Sequence, residues 1–511
     1  FCGVCSTQTA PAFFELRQDF HKSFPYKIPK GVVYEMKNVV YLFCDELRQD
    51  ALGCYGNSAV PVRTPNIDSI AAQGVLFENC FCNSPVCVPS RTSLLTGLYP
   101  EDTGVYHNEA SLPNFSLSRD VTTFPQVLAQ AGYHTANFGK THLPRPMKPF
   151  QVDVRDGSDM SLGLTREESR ALPQINSNPA LRFNLASVYP EGKEYGPETV
   201  TRNAVSWIQA QHEPFFVRVS YTQPHNPIIL KRGYELLYAD QPFPDALPDI
   251  SQLSDFERAF AAVVTLDTLS PEQLRMIQAY YYGLVRWVDD QVGEILECLR
   301  QKDLLKDTIL IINADHGALR GECRGVGKHI FHRASQGVPL IIADPDMSDA
   351  QKGSRVKQIC SNIDLARTIF GLLDILAPAQ FKGCDLLSGQ YPQEVYATIG
   401  YGEADSYAFP ALEFGRMPDG RGWPRRACIR TQRYRLDLSS RIDGAYTTAE
   451  DEDLFFVDTE ICPEENRNMA ALPEYAGVIQ VLRQKLRAHL DGCVEADSGS
   501  IHIHAGGIPL V

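Results

Sequence analysis

Cys87-Val88-Pro89-Ser90-Arg91 runs directly into Thr92-Ser93-Leu94-Leu95-Thr96-Gly97, which sets a cysteine at the start of a segment that reads as a helix. Unpaired N–H groups and the helix dipole favour an anion at such a position. Cys87 would then face any anion bound there, with Arg91 one turn further in; a buried or disulfide-bonded cysteine beside a common Pro-Ser turn is the alternative. Two acidic pairs lie far away in sequence, Asp45-Glu46 and Asp315-His316-Gly317. Their three carboxylates and one imidazole make a hard donor set that suits calcium, with magnesium or manganese as alternatives. An acid at the end of a strand can also cap the turn that follows, so each pair taken alone leaves both readings open. Cations that could meet an anion are Lys140 and His142 in Gly139-Lys140-Thr141-His142-Leu143, His225 in Gln223-Pro224-His225-Asn226-Pro227, and Lys328 in Gly327-Lys328-His329. Singly, each is an ordinary surface lysine or a satisfied histidine. They define a site only if the fold gathers them.

The elements that would gather them are legible as hydrophobic runs. Asn38 to Cys44, His134 to Phe138, Pro214 to Tyr221 and Thr308 to Ala314 read as strands, the first and last apolar enough for the centre of a parallel sheet. Helical segments fall between them: Pro65 to Gln73 closed by Gly74, Pro125 to Ala131 closed by Gly132, and a long stretch from Pro271 to about Lys302. This is the spacing of βαβ units and predicts an α/β fold. Ligands in such sheets bind beyond the carboxyl ends of the strands, which would collect Asp45, Lys140, His225 and Asp315 on one edge. After about residue 395 the texture changes to short strands around Ala427 to Leu436 and Leu454 to Val457, then a helix from about Pro473 to Leu490. The expected organisation is an N-terminal extension or leader over 1–35, a catalytic domain over 36–395, a small C-terminal α+β domain over 396–495, and a tail over 496–511 that holds His502 and His504.

A chain of 511 residues is too long for one ordinary domain and leaves ample room for a buried cleft. The net charge of −14, with no basic run interleaved with aromatics, argues against a nucleic-acid partner. It does not argue against an anionic substrate, because local cations and a metal set the potential inside a cleft. No apolar stretch reaches the roughly 18–20 residues of a membrane span. The fourteen cysteines are scattered, without zinc-site spacing and without the framing of a small cystine scaffold; Cys44 and Cys298 are expected as buried free thiols. Residue 1 is Phe, no charged and apolar leader pattern follows, and Met36 directly precedes the first strand. The expected compartment is cytoplasmic, or periplasmic or secreted if a signal peptide has been removed.

The cysteine segment resembles the signature of the formylglycine-dependent sulfatases, Cys-x-Pro-Ser-Arg followed by a helix ending in Thr-Gly. Gly139 to Leu143 resembles that family's Gly-Lys-x-His-Leu element, Pro224 to Pro227 its Pro-His-x-Pro element, and Lys328 the lysine that follows Asp-His-Gly. The resemblance runs in order through residues 37–345 and, less specifically, through Leu454-Phe455, Asp458 and Asn468. It implies the alkaline-phosphatase-like fold: a central mixed, mostly parallel sheet flanked by helices, with a smaller C-terminal α+β domain. It also implies hydrolysis of a sulfate monoester, small-molecule or sugar, by a formylglycine made from Cys87 with a maturase as partner. One divalent metal would be held by Asp45, Glu46, Cys87, Asp315 and His316. In this scheme Arg91 orients the nucleophile, Lys140 and Lys328 hold sulfate oxygens, and Asn108 offers a sulfate-binding amide. His225 with Lys328 assists the leaving oxygen, and His142 acts as base when sulfate is expelled. Glu46 departs from the family's usual Asp-Asp pair by one methylene.

Two rivals share these residues. A phosphonate monoester or phosphodiester hydrolase of the same superfamily also uses formylglycine, but such enzymes typically carry Tyr and Thr where this chain has Lys140 and His142. A binding protein on the same scaffold would need only an unmodified Cys87. Arg320, Glu322 and Arg324 follow the second acidic pair and are candidates for the mouth of the cleft, where a sugar carboxylate or second sulfate could be read.

Overall fold

Valine, leucine and isoleucine fill two segments that a computed structural model of the chain places side by side at the centre of an eight-stranded sheet. These are β1 (Asn38–Asp45) and Thr308–Ala314, both buried along their whole length. The structure describes residues 36–492 apart from 57–59, 112–116, 118–119, 159–164, 166, 169–185, 245, 265 and 405–416. The expected extension over 1–35 and tail over 496–511, with His502 and His504, lie outside the described residues.

The remaining strands of this sheet are, in chain order, β2 (Val75–Phe81), β3 (His134–Gly139), β4 (Val152–Val154), β5 (Phe215–Pro224), β6, which is the Thr308–Ala314 segment, β7 (Leu340–Ala343) and β8 (Ser354–Ser361). Their spatial order is β8-β2-β7-β6-β1-β5-β3-β4. β7 alone runs against its neighbours β2 and β6; every other pairing is parallel, so the sheet is mixed and mostly parallel as expected. Helices connect the parallel strands, among them Pro65–Ala72, Phe124–Gln130 and Pro271–Gln301, close to the predicted spans. The long last one begins at a capping box in which Ser270 accepts from the Gln273 N–H.

Register decides what leaves the sheet together. β1 pairs β6 from Asn38 opposite Thr308 to Cys44 opposite Ala314, so Asp45 and Asp315 emerge side by side at the carboxyl edge. β3 ends with Gly139 opposite Ser220 of β5, which sets Lys140 next to the strand that leads to His225. On the other side of β1 a bulge after Cys44 makes Asp45 pair with Pro224.

A second, antiparallel sheet forms from Val395–Ile399, Arg425–Arg430, Tyr434–Ile442 and Ala445–Tyr446 in that order, with Phe455–Asp458 also paired to Tyr434–Ile442. A helix, Ala476–Gly492, follows it. Buried polar contacts tie this sheet to the rest: Arg435 pairs with Glu257 at 2.8 Å, Arg430 pairs with Glu465 at 2.7 Å, and Arg430 Nε donates to Gln336 Oε1 at 2.6 Å. Among the described residues eleven cysteines are free, including the buried Cys44 and Cys298.

Candidate active site

Cys87 is the first residue of a ten-residue helix, Cys87–Thr96, every side chain of which is buried. Pro89 sits in the first turn, where its missing N–H costs no hydrogen bond. Gly97 ends the helix in the left-handed conformation, and a Cβ there would lie 2.5 Å from Phe381, so only glycine fits. Asn108 accepts from the Val88 N–H at 3.0 Å, which holds its amide against the N-terminal turn beside Cys87.

The Cys87 sulfur marks the position where a matured side chain would bear its reactive oxygen. It lies 2.9 Å from Lys328 Nζ, 3.3 Å from His316 Nε2 and 3.7 Å from Asp45 Oδ1, and it is hydrogen-bonded to the half-buried His142. Burial alone would raise this thiol; Lys328, Lys140 and His316 overcome that and hold it well below the ordinary cysteine range. The site therefore stabilises negative charge at residue 87.

Four donors, from Asp45, Cys87, Asp315 and His316, all buried, lie within 4.8 Å of one another. Arg91, fully buried, clamps the two carboxylates: Nε donates to Asp315 Oδ2 at 2.8 Å and Nη2 to Asp45 Oδ2 at 3.0 Å, while Nη1 reaches the Lys140 carbonyl at 3.0 Å. Its grip is on the carboxylates, where the sequence reading had it orient the nucleophile. Ser90 Oγ donates to the Asp315 carbonyl at 2.5 Å, and Lys140 Nζ pairs with Asp45.

This donor set fits a divalent cation. His316 Nδ1 faces the Gly317 carbonyl at 2.8 Å; a carbonyl only accepts, so Nδ1 carries the proton and Nε2 points into the group, the orientation a metal-binding imidazole needs. Burial and the charge of Asp45 push Asp315 upward. Burial would lower His316, but Asp315 raises it to about 9, so an imidazolium here balances charge that a divalent cation would balance in its place.

Glu46 is not grouped with Cys87, Asp315 and His316. It groups instead with Asp45 and His225, and its carboxylate is 2.9 Å from Lys328 Nζ and 3.5 Å from both His225 Nε2 and Arg320 Nη2. Burial opposes its ionisation, yet His225, Lys328 and Arg320 hold it at about 2. His225 donates from Nδ1 to the Asn226 carbonyl at 2.5 Å, which turns Nε2 toward Lys328 Nζ at 3.0 Å and Glu46 Oε1 at 3.5 Å.

All eleven residues anticipated for the site converge here. Of the three charged residues suggested for the cleft mouth, only Arg320 reaches it, bonding Asn226 Oδ1 at 3.0 Å and lying over the Tyr281 ring; Glu322 pairs with Arg48, and Arg324 bonds the Pro248 carbonyl. The sequence reading missed Ser90, Tyr281, whose hydroxyl donates to the Glu46 carbonyl at 2.6 Å, and the His107–His329 ring stack at 5.3 Å beside Lys328. Tyr281 carries no local signal, since it lies mid-helix and 235 positions from its partner.

The sulfatase family model matches residues 37–375, and the chain belongs to that family. It is therefore a sulfuric ester hydrolase, and the family brings with it a metal ion and formylglycine. The chain is 27% identical over 470 residues to an ulvan-active sulfatase of Formosa agariphila, covering 89% of this chain and 81% of the relative. It is 30% identical over 339 residues to human iduronate 2-sulfatase, 60% of each chain. Its fold matches the crystal structure of a phosphonate monoester hydrolase of Agrobacterium radiobacter with a TM-score of 0.70 at 23% identity, covering 89% of this chain and 96% of that one. At that identity the likeness speaks for the fold alone.

Proposed function

We propose that this site hydrolyses the sulfate monoester of a sugar, releasing the sugar alcohol and inorganic sulfate, with formylglycine made from Cys87 by a maturase as nucleophile. The observation that carries the reading is the position of Cys87: at the start of a buried helix, 2.9 Å from Lys328 and within one group of acidic and imidazole donors. Formylglycine supplies, as its hydrate, one hydroxyl that attacks sulfur and a second through which sulfate leaves by C–O cleavage. A divalent cation, when bound, polarises sulfate oxygens and favours the deprotonated hydroxyl.

Asp45, Asp315, His316 and the matured residue 87 hold that cation, calcium by the oxygen-rich donor set, with magnesium or manganese as alternatives. Arg91 keeps the two carboxylates in register. Lys140, Lys328 and Asn108 bind sulfate oxygens. His225, with Lys328, delivers a proton to the departing sugar oxygen, and His142 takes one when sulfate is expelled. The preference for a sugar draws on relatives named for iduronate and for a 4,5-unsaturated hexuronate 2-O-sulfate.

Turnover of a panel of sulfated sugars, choline sulfate, 4-nitrophenyl sulfate and an aryl phosphonate tests this. Sulfated sugars should give the highest kcat/KM. A preference for the phosphonate would favour the hydrolase relatives of the same superfamily, against which Lys140 and His142 stand. No turnover by chain whose residue 87 is formylglycine would leave a binding protein.

A further inference from the structure

Position 46 is where this chain departs from the family's acidic pair, and the structure gives the longer side chain different company. Asp45, Cys87, Asp315 and His316 turn their donor atoms toward a common centre, while Glu46 shares a neighbouring group with Asp45 and His225 and pairs with Lys328. Its Oε1 meets Lys328 Nζ at 2.9 Å and His225 Nε2 at 3.5 Å; its Oε2 meets Arg320 Nη2 at 3.5 Å. Arg320 also bonds Asn226 Oδ1, next to His225, at 3.0 Å. These contacts close a loop from Glu46 through Arg320 and Asn226 to His225 and Lys328.

The backbone is built for that direction. Glu46 has φ of +63, a left-handed conformation uncommon for glutamate, and two buried contacts hold it there. Its N–H donates to Asp315 Oδ1 at 3.2 Å, and its carbonyl accepts from the Tyr281 hydroxyl at 2.6 Å. Gly327, also left-handed, brings bare backbone over the carboxylate: a Cβ there would lie 3.9 Å from Glu46 Oε1. The residue after that glycine is Lys328.

We infer that Glu46 is a positioning residue of the leaving-group machinery and not a metal ligand: it fixes Lys328 Nζ and the His225 ring between nucleophile and departing oxygen, with Arg320 as its counter-charge. The inference rests on the sulfatase reading for its kinetic part and on the geometry alone for its metal part. An aspartate at position 46 would fall one methylene short of this loop. The Glu-for-Asp exchange and the arginine at 320 thus form one device.

Calcium titration by calorimetry and steady-state kinetics together test it, using the mature enzyme and its Glu46→Gln and Asp315→Asn variants. Glu46→Gln should bind calcium within about tenfold of the wild type, while Asp315→Asn should lose about a hundredfold or more. An equal loss in both would make Glu46 a ligand and overturn the inference. Glu46→Gln should also lose at least tenfold more kcat/KM on a sugar sulfate than on 4-nitrophenyl sulfate. Adding His225→Ala to it should cost little more, since both changes disable one arrangement. Additive losses would show that Glu46 does not act through His225. If the wild type cleaves no sulfate ester, the functional reading fails, yet the calcium comparison still decides whether Glu46 binds metal.

Discussion

Replacing His225 by alanine should separate substrates by the basicity of what they release. The Nδ1–H bond to the Asn226 carbonyl fixes the tautomer, so Nε2 is the atom through which a proton passes, and its neighbours are Lys328 Nζ at 3.0 Å and Glu46 Oε1 at 3.5 Å. A sugar alkoxide cannot depart without that proton, whereas 4-nitrophenolate is a stable anion near neutral pH. General acid catalysis contributes about 10²–10⁴ in rate. Lys328 remains 2.9 Å from residue 87 in the variant and retains its hold on the sulfate end, so the lower part of that range applies. The expected loss in kcat/KM on a sugar sulfate is about 10²–10³, or roughly 3–4 kcal/mol of transition-state stabilisation at about 1.4 kcal/mol per tenfold. On 4-nitrophenyl sulfate it should stay under about tenfold. Parallel kinetics on both substrates, with circular dichroism to verify folding, give the comparison. Equal losses on the two substrates would remove His225 from proton delivery.

Two further changes probe what surrounds the chemistry. Chelation should abolish turnover and added calcium should restore it, whereas Asp315→Asn should stay inactive at calcium levels that saturate the wild type; activity unaffected by a strong chelator would contradict the four-donor site. Glu465→Gln should destabilise the chain by about 3–5 kcal/mol in urea unfolding at neutral pH, since it leaves the buried Arg430 and Arg435 short of a counter-charge. Burial opposes ionisation of Glu465, but Arg430 and Arg435 hold it far below the ordinary glutamate range. Its stabilising effect is thus full above about pH 4.5 and fades as acid titrates the folded carboxyl, so the gap between wild type and variant should narrow below that pH. A gap that does not change down to the acid limit would refute the ion-pair account.

Much of the frame was readable because its signals are local. The apolar runs at Asn38–Asp45 and Thr308–Ala314 read as buried strands, the first ending on Asp45 and the second followed at once by Asp315, so Asp45 and Asp315 at one sheet edge followed from pattern and fold class together. Gly97 likewise marked a helix end, and the structure explains it by the Phe381 contact. The reversed strand Leu340–Ala343 was not legible: four apolar residues carry no direction, and its place between β2 and β6 depends on pairings far away in sequence. The final helix begins at Ala476, later than its Pro473 signal, because a 3₁₀ turn over Pro473–Tyr475 comes first. Within the site, residue types came through and their orientations did not. Arg91 read as a partner of the nucleophile; that its planar fork also clamps two buried carboxylates was not announced by any local motif. Glu46 read as one more acid of the pair; its left-handed backbone and the Tyr281 hydroxyl, which no local motif announces, place its carboxylate among cations.

The mass of the peptide that carries Cys87, taken from fully active enzyme, tests the central claim most directly. A thiol attacking sulfate would leave a thiosulfate ester without an internal route for release, whereas a hydrated aldehyde keeps a second hydroxyl for elimination. The account predicts a peptide in which sulfur and two hydrogens have given way to one oxygen, a loss of mass that the thiol oxidation ladder, which adds oxygen, cannot imitate. The modified fraction should rise in proportion to specific activity when a maturase is co-expressed, and Cys87→Ala should be folded and inactive. Fully active enzyme with an unmodified thiol at Cys87 would contradict it.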